Sequence, residues 1–190
     1  MFTVVFGQIA NLPTDGMPQF LFYLSGTVIW GYFAESLKKT SDTFIANQQV
    51  FGKVYFPRLV TPISILISNL ITFGIQFLFF LGFLAYFMAS GSDVQPTIYI
   101  LLLPVLLFLM AGLSLGFGII ISSLTTKYRD LRFLVTFGVQ LWMYATPVIY
   151  PISSIPQQWR WVVLINPISP VVETFRYAFL GAGTLDWLSL

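Results

Sequence analysis

Cysteine and histidine are both absent from the 190 residues, and only 8% of the chain is charged. Without cysteine there is no disulfide framework and no thiol nucleophile; without either residue the usual zinc clusters and imidazole bases are gone. The shortage of charge excludes more. A soluble domain carries about 25% charged and 45–50% apolar residues, whereas 57% of this chain is hydrophobic and mean hydropathy is +0.84. Nine Lys and Arg with seven Asp and Glu cannot cover a soluble globule of this size. The net charge of +2 is small and the basic residues are scattered, which argues against nucleic-acid binding. Neither G-x-x-x-x-G-K-[ST] nor G-x-G-x-x-G occurs, so those two nucleotide-binding routes are closed and any ATP dependence must come from a partner. What remains is an all-α, polytopic membrane protein.

A bilayer core of about 30 Å needs roughly 20 apolar residues in a helix. Four stretches meet or approach this: Gln19–Leu37, uncharged until Glu35, then Ile63–Ala89, Thr97–Leu124 and Phe133–Tyr150. Met1–Ala10 is apolar but only about 15 Å long as a helix, so it reads as part of a first span. After Tyr150 the breakers Pro151, Pro156, Pro167 and Pro170 leave two short apolar segments, 155–165 and 170–180, each too short to cross. They predict a re-entrant helical hairpin over 155–181, joined at Asn166-Pro167. Ser169 is placed as N-cap, Pro170 as first helical residue and Gly181 as the stop. Such backbone persists at membrane depth only when buried in protein or lining a cavity.

Lys and Arg orient the chain. Lys38, Lys39, Lys53 and Arg58 lie between the first two long stretches, and Lys127, Arg129 and Arg132 between the third and fourth. The alternate loops, 11–18 and 90–96, carry no base, so the basic loops are cytoplasmic. Arg160 and Arg176 fall in the hairpin, on the outer side.

The longer cytoplasmic loop predicts a helix of about 14 residues, N-capped by Ser41 or Asp42 and ended by Pro57. It would either dock on a cytoplasmic partner or lie amphipathically among headgroups. The segment Thr125–Arg132 has three bases and one acid and satisfies the positive-inside rule with no further role required. Gly112 and Gly116 form G-x-x-x-G, continued by Ser114 and Gly118, a stripe for close helix packing within the chain or between two copies. Asn69 and Gln76 share a helix face and either line a path or bond a neighbouring helix. No ionisable group lies at the midplane of the later spans, which argues against a proton-coupled carrier. Glu173 and Arg176, three apart, can pair; so costly a pair on the outer side points to water access or a gating contact.

In chain order, Asn47–Arg58 (N-Q-Q-V-F-G-K-V-Y-F-P-R), Tyr128-Arg129-Asp130-Leu131-Arg132, Gln140-Leu141-Trp142, Thr146–Pro151, Pro156–Trp161, Leu164-Ile165-Asn166-Pro167 and Glu173-Thr174-Phe175-Arg176 resemble the permeases of ABC-2 type exporters of polysaccharides. The resemblance runs from Met1 to Leu190. It implies a single transmembrane domain that pairs with a second copy of itself and with an ABC ATPase subunit, in the bacterial plasma membrane. No cofactor would be bound by this chain, ATP and Mg being held by the ATPase. The cargo would be a lipid-linked glycan of O-antigen, capsule or teichoic acid type. Segment 42–58 would be the coupling segment, with Asn47, Phe51, Lys53, Tyr55 and Arg58 facing the ATPase and Tyr128, Arg129 and Asp130 making a second contact. Trp142, Tyr150, Trp159, Trp161, Glu173, Arg176 and Tyr177 would belong to the outer gate or channel. No catalytic or metal-binding residue is implied. Compared with the family pattern, the first span is incomplete and the sixth missing, so a piece of a longer permease is expected. Two other readings are kept open: an exporter of a small lipid or drug, and a membrane enzyme of lipid-linked sugar assembly, although the latter needs converging acids or histidines.

Overall fold

The computed structural model describes residues 14, 16–51, 57–92, 94–128 and 130–181. Among these every regular element is helical, as the apolar runs require: α1 (Gln19–Ser41), the one-turn helices α2 (Thr43–Ala46) and α3 (Gln48–Phe51), α4 (Val60–Ala89), α5 (Leu103–Lys127, entered by a 3₁₀ turn Ile98–Leu102), α6 (Leu131–Ala145), α7 (Arg160–Ile165) and α8 (Ser169–Leu180). Two of them, Val60–Ala89 and Ile98–Lys127 with its 3₁₀ entry, are each 30 residues and apolar enough to cross a membrane.

The bundle is built around α1. Leu21, Phe22, Ile29, Trp30, Phe33 and Leu37 are buried on several sides of it, beneath α4, α5, α6 and α8. The short α8 is the second interior helix, with Val172, Phe175, Phe179 and Leu180 buried. Phe77 and Phe80 of α4 meet Phe175 and Phe179 with ring centroids 5.4–6.3 Å apart. Facing outward, α4 and α5 present large apolar side chains: Ile71 is 69% exposed and Phe108 79%. In water this would be untenable; hydrocarbon is its natural solvent.

One side of α5 carries Leu106, Met110, Ser114, Gly118 and Ser122, all buried at four-residue spacing. Where this ridge crosses α1 the helices nearly touch: a Cβ on Gly118 would lie 2.5 Å from Thr40 Cγ2 and 2.7 Å from Thr40 Cβ. The small-residue stripe therefore divides. Ser114 and Gly118 pack within the chain, whereas Gly112 and Gly116 have nothing within 4 Å of an added Cβ. Gly118→Ala is expected to lower stability by about 1–3 kcal/mol through overpacking, while Gly112→Ala leaves it unchanged or raised; thermal denaturation in detergent separates the two.

Several boundaries differ from expectation. α6 ends at Ala145, not Tyr150, because Thr146 before Pro147 is extended, with ψ 143°. The single cytoplasmic helix is replaced by α2 and α3, broken at Asn47. Ser41 is not a cap: it lies in the last turn of α1, where its hydroxyl donates to Lys38 O at 2.7 Å. Asp42 makes no side-chain cap bond. Ser169 is already helical, with Ile168 at the N-cap position, and the side-chain cap comes from Asn166, whose Oδ1 accepts the Ile168 N–H at 3.2 Å. The first arm of the hairpin is a 3₁₀ turn, Gln157–Trp159, followed by the six-residue α7. α8 ends at Gly181 in the left-handed region, φ 74°. An added Cβ there would also fall 2.8 Å from Gln95 O, so both the turn and the close approach require glycine. The backbone N–H groups of Gln95 and Thr97 donate to Leu180 O and Ala178 O, satisfying carbonyls at the α8 terminus.

Candidate functional site

At the end of the bundle that carries the basic turns, α1, α2, α5 and α6 converge. The Thr125 hydroxyl of α5 donates to Ser41 O at 2.9 Å. Asp42, at the turn out of α1, pairs with Arg132 in the first turn of α6, ninety positions along the chain. Both partners are partly solvated, so the pair adds little stability; what it does is join the 42–51 segment to α6. Asn47 Nδ2 donates to Thr43 O, 2.9 Å, inside that segment. Arg58 and Asp130 are exposed, and Tyr128 is exposed with Lys127 Nζ 5.3 Å from its ring. Lys53, Tyr55 and Arg129 lie outside the described residues, as do residues 1–13, and so does the Phe51 side chain. Asn47, Arg58, Tyr128 and Asp130 thus lie near the two basic turns, and Asp42 and Arg132, which hydropathy could not pair, join those turns.

At the other end a second cluster holds the hairpin. Asn166, at the joint of α7 and α8, is buried and fully used. Its Oδ1 accepts from Trp142 Nε1 and from Ile168 N, both at 3.2 Å, while Nδ2 donates to Thr146 Oγ1 at 2.8 Å and reaches Ala145 O at 3.4 Å. Thr146 Oγ1 in turn donates to Trp142 O. The Trp142 ring stands edge-on to Phe33 and Phe117, 5.5 and 5.4 Å away. One amide therefore ties the end of α6 to the start of α8.

Arg176 of α8 forms the other half of this lock. Its side chain is 1% exposed. Nη1 donates to Glu173 Oε1 at 3.1 Å, and Nη2 donates to Pro147 O at 2.9 Å and Val148 O at 3.1 Å. The guanidinium lies 3.8 Å from the centroid of Phe22. Gly26 of α1 makes room: a Cβ there would be 2.7 Å from Val148 O and 3.2 Å from Arg176 Nη2. The expectation of water access for Glu173 and Arg176 is corrected by this burial. Proline supplies no N–H, and the irregular turn after α6 leaves bare carbonyls that need a donor; Arg176 supplies it.

The remaining outer candidates are dispersed. Tyr150 donates to Tyr144 O at 3.1 Å, Tyr177 lies against Tyr99 with centroids 5.6 Å apart, and Trp161 stands exposed. The Trp159 side chain lies outside the described residues. Gly26 and Phe22 belong to the lock although pattern reading gave neither a role; Asn166 was read as the hairpin joint and Thr146 as part of a motif, but not as bonded to each other.

A third polar group lies along the seam of α1 and α4. Asn69 Nδ2 donates to Ser36 Oγ at 3.0 Å, and Asn69 Oδ1 accepts from Lys39 Nζ at 3.0 Å. Lys39 also pairs with Glu35, one helical turn away, at 3.2 Å. Asn69 thus bonds the neighbouring helix, whereas Gln76, two turns on, points into a cleft shared with Glu35 and Lys39. No three acids converge among the described residues.

A helical bundle with apolar outer faces, two turns joined by the Asp42–Arg132 pair and a buried α7–α8 hairpin defines a membrane-type domain. The family model for the ABC-2 type transporter matches residues 1–180, and the chain belongs to that family. It is 30% identical over 167 residues to the "O-antigen export system permease protein RfbA" of Klebsiella pneumoniae, a match covering 88% of this chain and 62% of that protein. A protein of the same name from Myxococcus xanthus is 29% identical, covering 94% of this chain and 65% of that one. The "Polysialic acid transport protein KpsM" of Escherichia coli is 25% identical, covering 98% and 70%. The chain thus spans less than two thirds of the Klebsiella and Myxococcus proteins.

Proposed function

We propose that this chain is the membrane-spanning permease of an ATP-driven exporter that moves a lipid-linked polysaccharide out across the bacterial inner membrane. The observation that carries the reading is the family match over nearly the whole chain, together with relatives named for O-antigen and polysialic acid transport. Two copies would enclose the path, and each would seat an ATPase that holds ATP and Mg. This chain does no covalent chemistry. Closure of the ATPase would push on segment 42–58. Asp42 would pass the displacement to α6 through Arg132, and Trp142–Asn166 would pass it on to the hairpin. Lys53 and Arg58 would meet the ATPase surface, with Tyr128, Arg129 and Asp130 as a smaller contact. Trp142, Tyr150, Trp159, Trp161 and Tyr177 would supply aromatic faces at the outer mouth.

The reading is tested in the reconstituted permease–ATPase complex. Lys53→Glu combined with Arg58→Glu is expected to abolish the stimulation of ATP hydrolysis by the permease and to reduce export at least tenfold, without changing the melting temperature of the isolated permease. Coupling and export at the unaltered rate would show that this segment is not where the ATPase docks.

A further inference from the structure

The α1–α4 seam takes no part in the hairpin lock or in the cytoplasmic joints, and its polarity is out of place beside hydrocarbon. The cleft there has a volume of about 240 Å³. Glu35 and Lys39 form its charged end. They pair through Glu35 Oε1 alone, and their side chains remain 48% and 50% exposed. Lys39 gives a second hydrogen bond to Asn69, which leaves one of its three donors over. Thr72 and Gln76 line the same cleft, and neither has a hydrogen-bond partner among the described residues. A half-exposed ion pair beside an unmatched amide and an unmatched hydroxyl on a spanning helix marks a binding site rather than a lipid-tail surface.

Farther along α4, an apolar groove of about 650 Å³ is lined by Ile75, Leu78, Phe79, Gly82, Phe83 and Tyr86. Phe79 follows Thr72 by seven residues and Phe83 follows Gln76 by seven. These two rings therefore stand above the edge of the cleft, while Ile75, Leu78 and Gly82 turn onto the adjoining face of α4; the groove runs on for about 15 Å. Gly82 leaves a notch, with nothing within 4 Å of an added Cβ. A charge-balanced polar cleft with an apolar trough next to it along α4 is the complement of an amphipathic molecule. The acid at the polar end disfavours a purely anionic head. A zwitterion matches both partners, with its phosphate on the spare Lys39 donor and its ammonium on the second oxygen of Glu35. Lys39 lies in the last turn of α1, on the side that the Lys and Arg distribution makes cytoplasmic, while the groove extends away from it.

We propose that the cleft and groove hold one zwitterionic phospholipid of the cytoplasmic leaflet, its headgroup on Glu35 and Lys39 and an acyl chain laid past Gly82. The site does not depend on what the exporter carries.

The test places the purified chain in nanodiscs of equal phosphatidylethanolamine and phosphatidylglycerol, then counts retained lipid by native mass spectrometry after delipidation. Phosphatidylethanolamine is expected to be retained at least fivefold over phosphatidylglycerol. Glu35→Gln with Lys39→Gln is expected to remove that preference. Gly82→Phe, whose ring enters open space and not the core, is expected to cut retention at least fivefold with helicity and melting unchanged; it decides the matter should the double variant not fold. Equal retention of the two lipids by the unaltered chain, or retention untouched by Gly82→Phe, would overturn the proposal. So would displacement of phosphatidylethanolamine by equimolar polyprenyl diphosphate, which would make the site one for cargo lipid.

Discussion

Replacing Arg176 by methionine is expected to cost about 3–5 kcal/mol, enough to lose the docked hairpin, because it strands a buried carboxylate without its partner. Three things go at once: the charge facing Glu173, the donors to Pro147 O and Val148 O, and the cation over Phe22. The sharper expectation is that Glu173→Gln combined with Arg176→Met is less harmful than Arg176→Met alone, since a neutral amide is far cheaper to bury than an unpaired charge. Arg176→Lys keeps the charge but loses the planar fork that spans a carboxylate and two carbonyls, and should fall between. Thermal melting of the detergent-purified chain orders the four proteins. If the double variant proves the least stable, the ion pair is not what Arg176 is held for.

Asn166→Leu is expected to be the second severe change. Leucine fills much the same space, yet it leaves Trp142 Nε1 and the Ile168 N–H buried without an acceptor and removes the donor to Thr146. Each stranded group costs about 1–3 kcal/mol. Asn166→Asp retains the acceptor for Trp142 and Ile168 but loses the donations to Thr146 and Ala145 and buries an unpaired charge, so it is expected to destabilise as well. Hydrogen exchange over 166–181 reports the effect: amides of α8 protected in the unaltered chain should exchange faster in Asn166→Leu, with those of α5 unaffected.

What could be read beforehand follows from what hydropathy measures. Three of the four long apolar runs became α1, α4 and α5 almost where their polar and proline boundaries placed them, and Gly181 ended α8. Hydropathy reports removal from water and does not distinguish a helix facing lipid from one facing protein. That is why α1 could not be recognised as the centre of the bundle, and why Gly112 and Gly118 looked equivalent although only Gly118 meets a neighbour. The Asp42–Arg132 joint connects residues ninety apart through tertiary structure alone. The cytoplasmic helix broke at Asn47, where a side chain that bonds its own backbone competes with the helix. In the hairpin, the prolines announced irregular backbone, and irregular backbone at membrane depth must find donors; that Arg176 and Asn166 are those donors required the fold.

Export of a lipid-linked polymer is tested most directly by where that polymer resides in cells depleted of this permease. If the permease carries it, polyprenyl-linked glycan accumulates on the cytoplasmic face of the inner membrane and surface polymer falls at least tenfold. Restoring the intact permease clears the accumulation; the Arg176→Met variant does not. Surface polymer appearing at an undiminished rate during depletion, with no polyprenyl-linked glycan retained inside, would contradict a role in export.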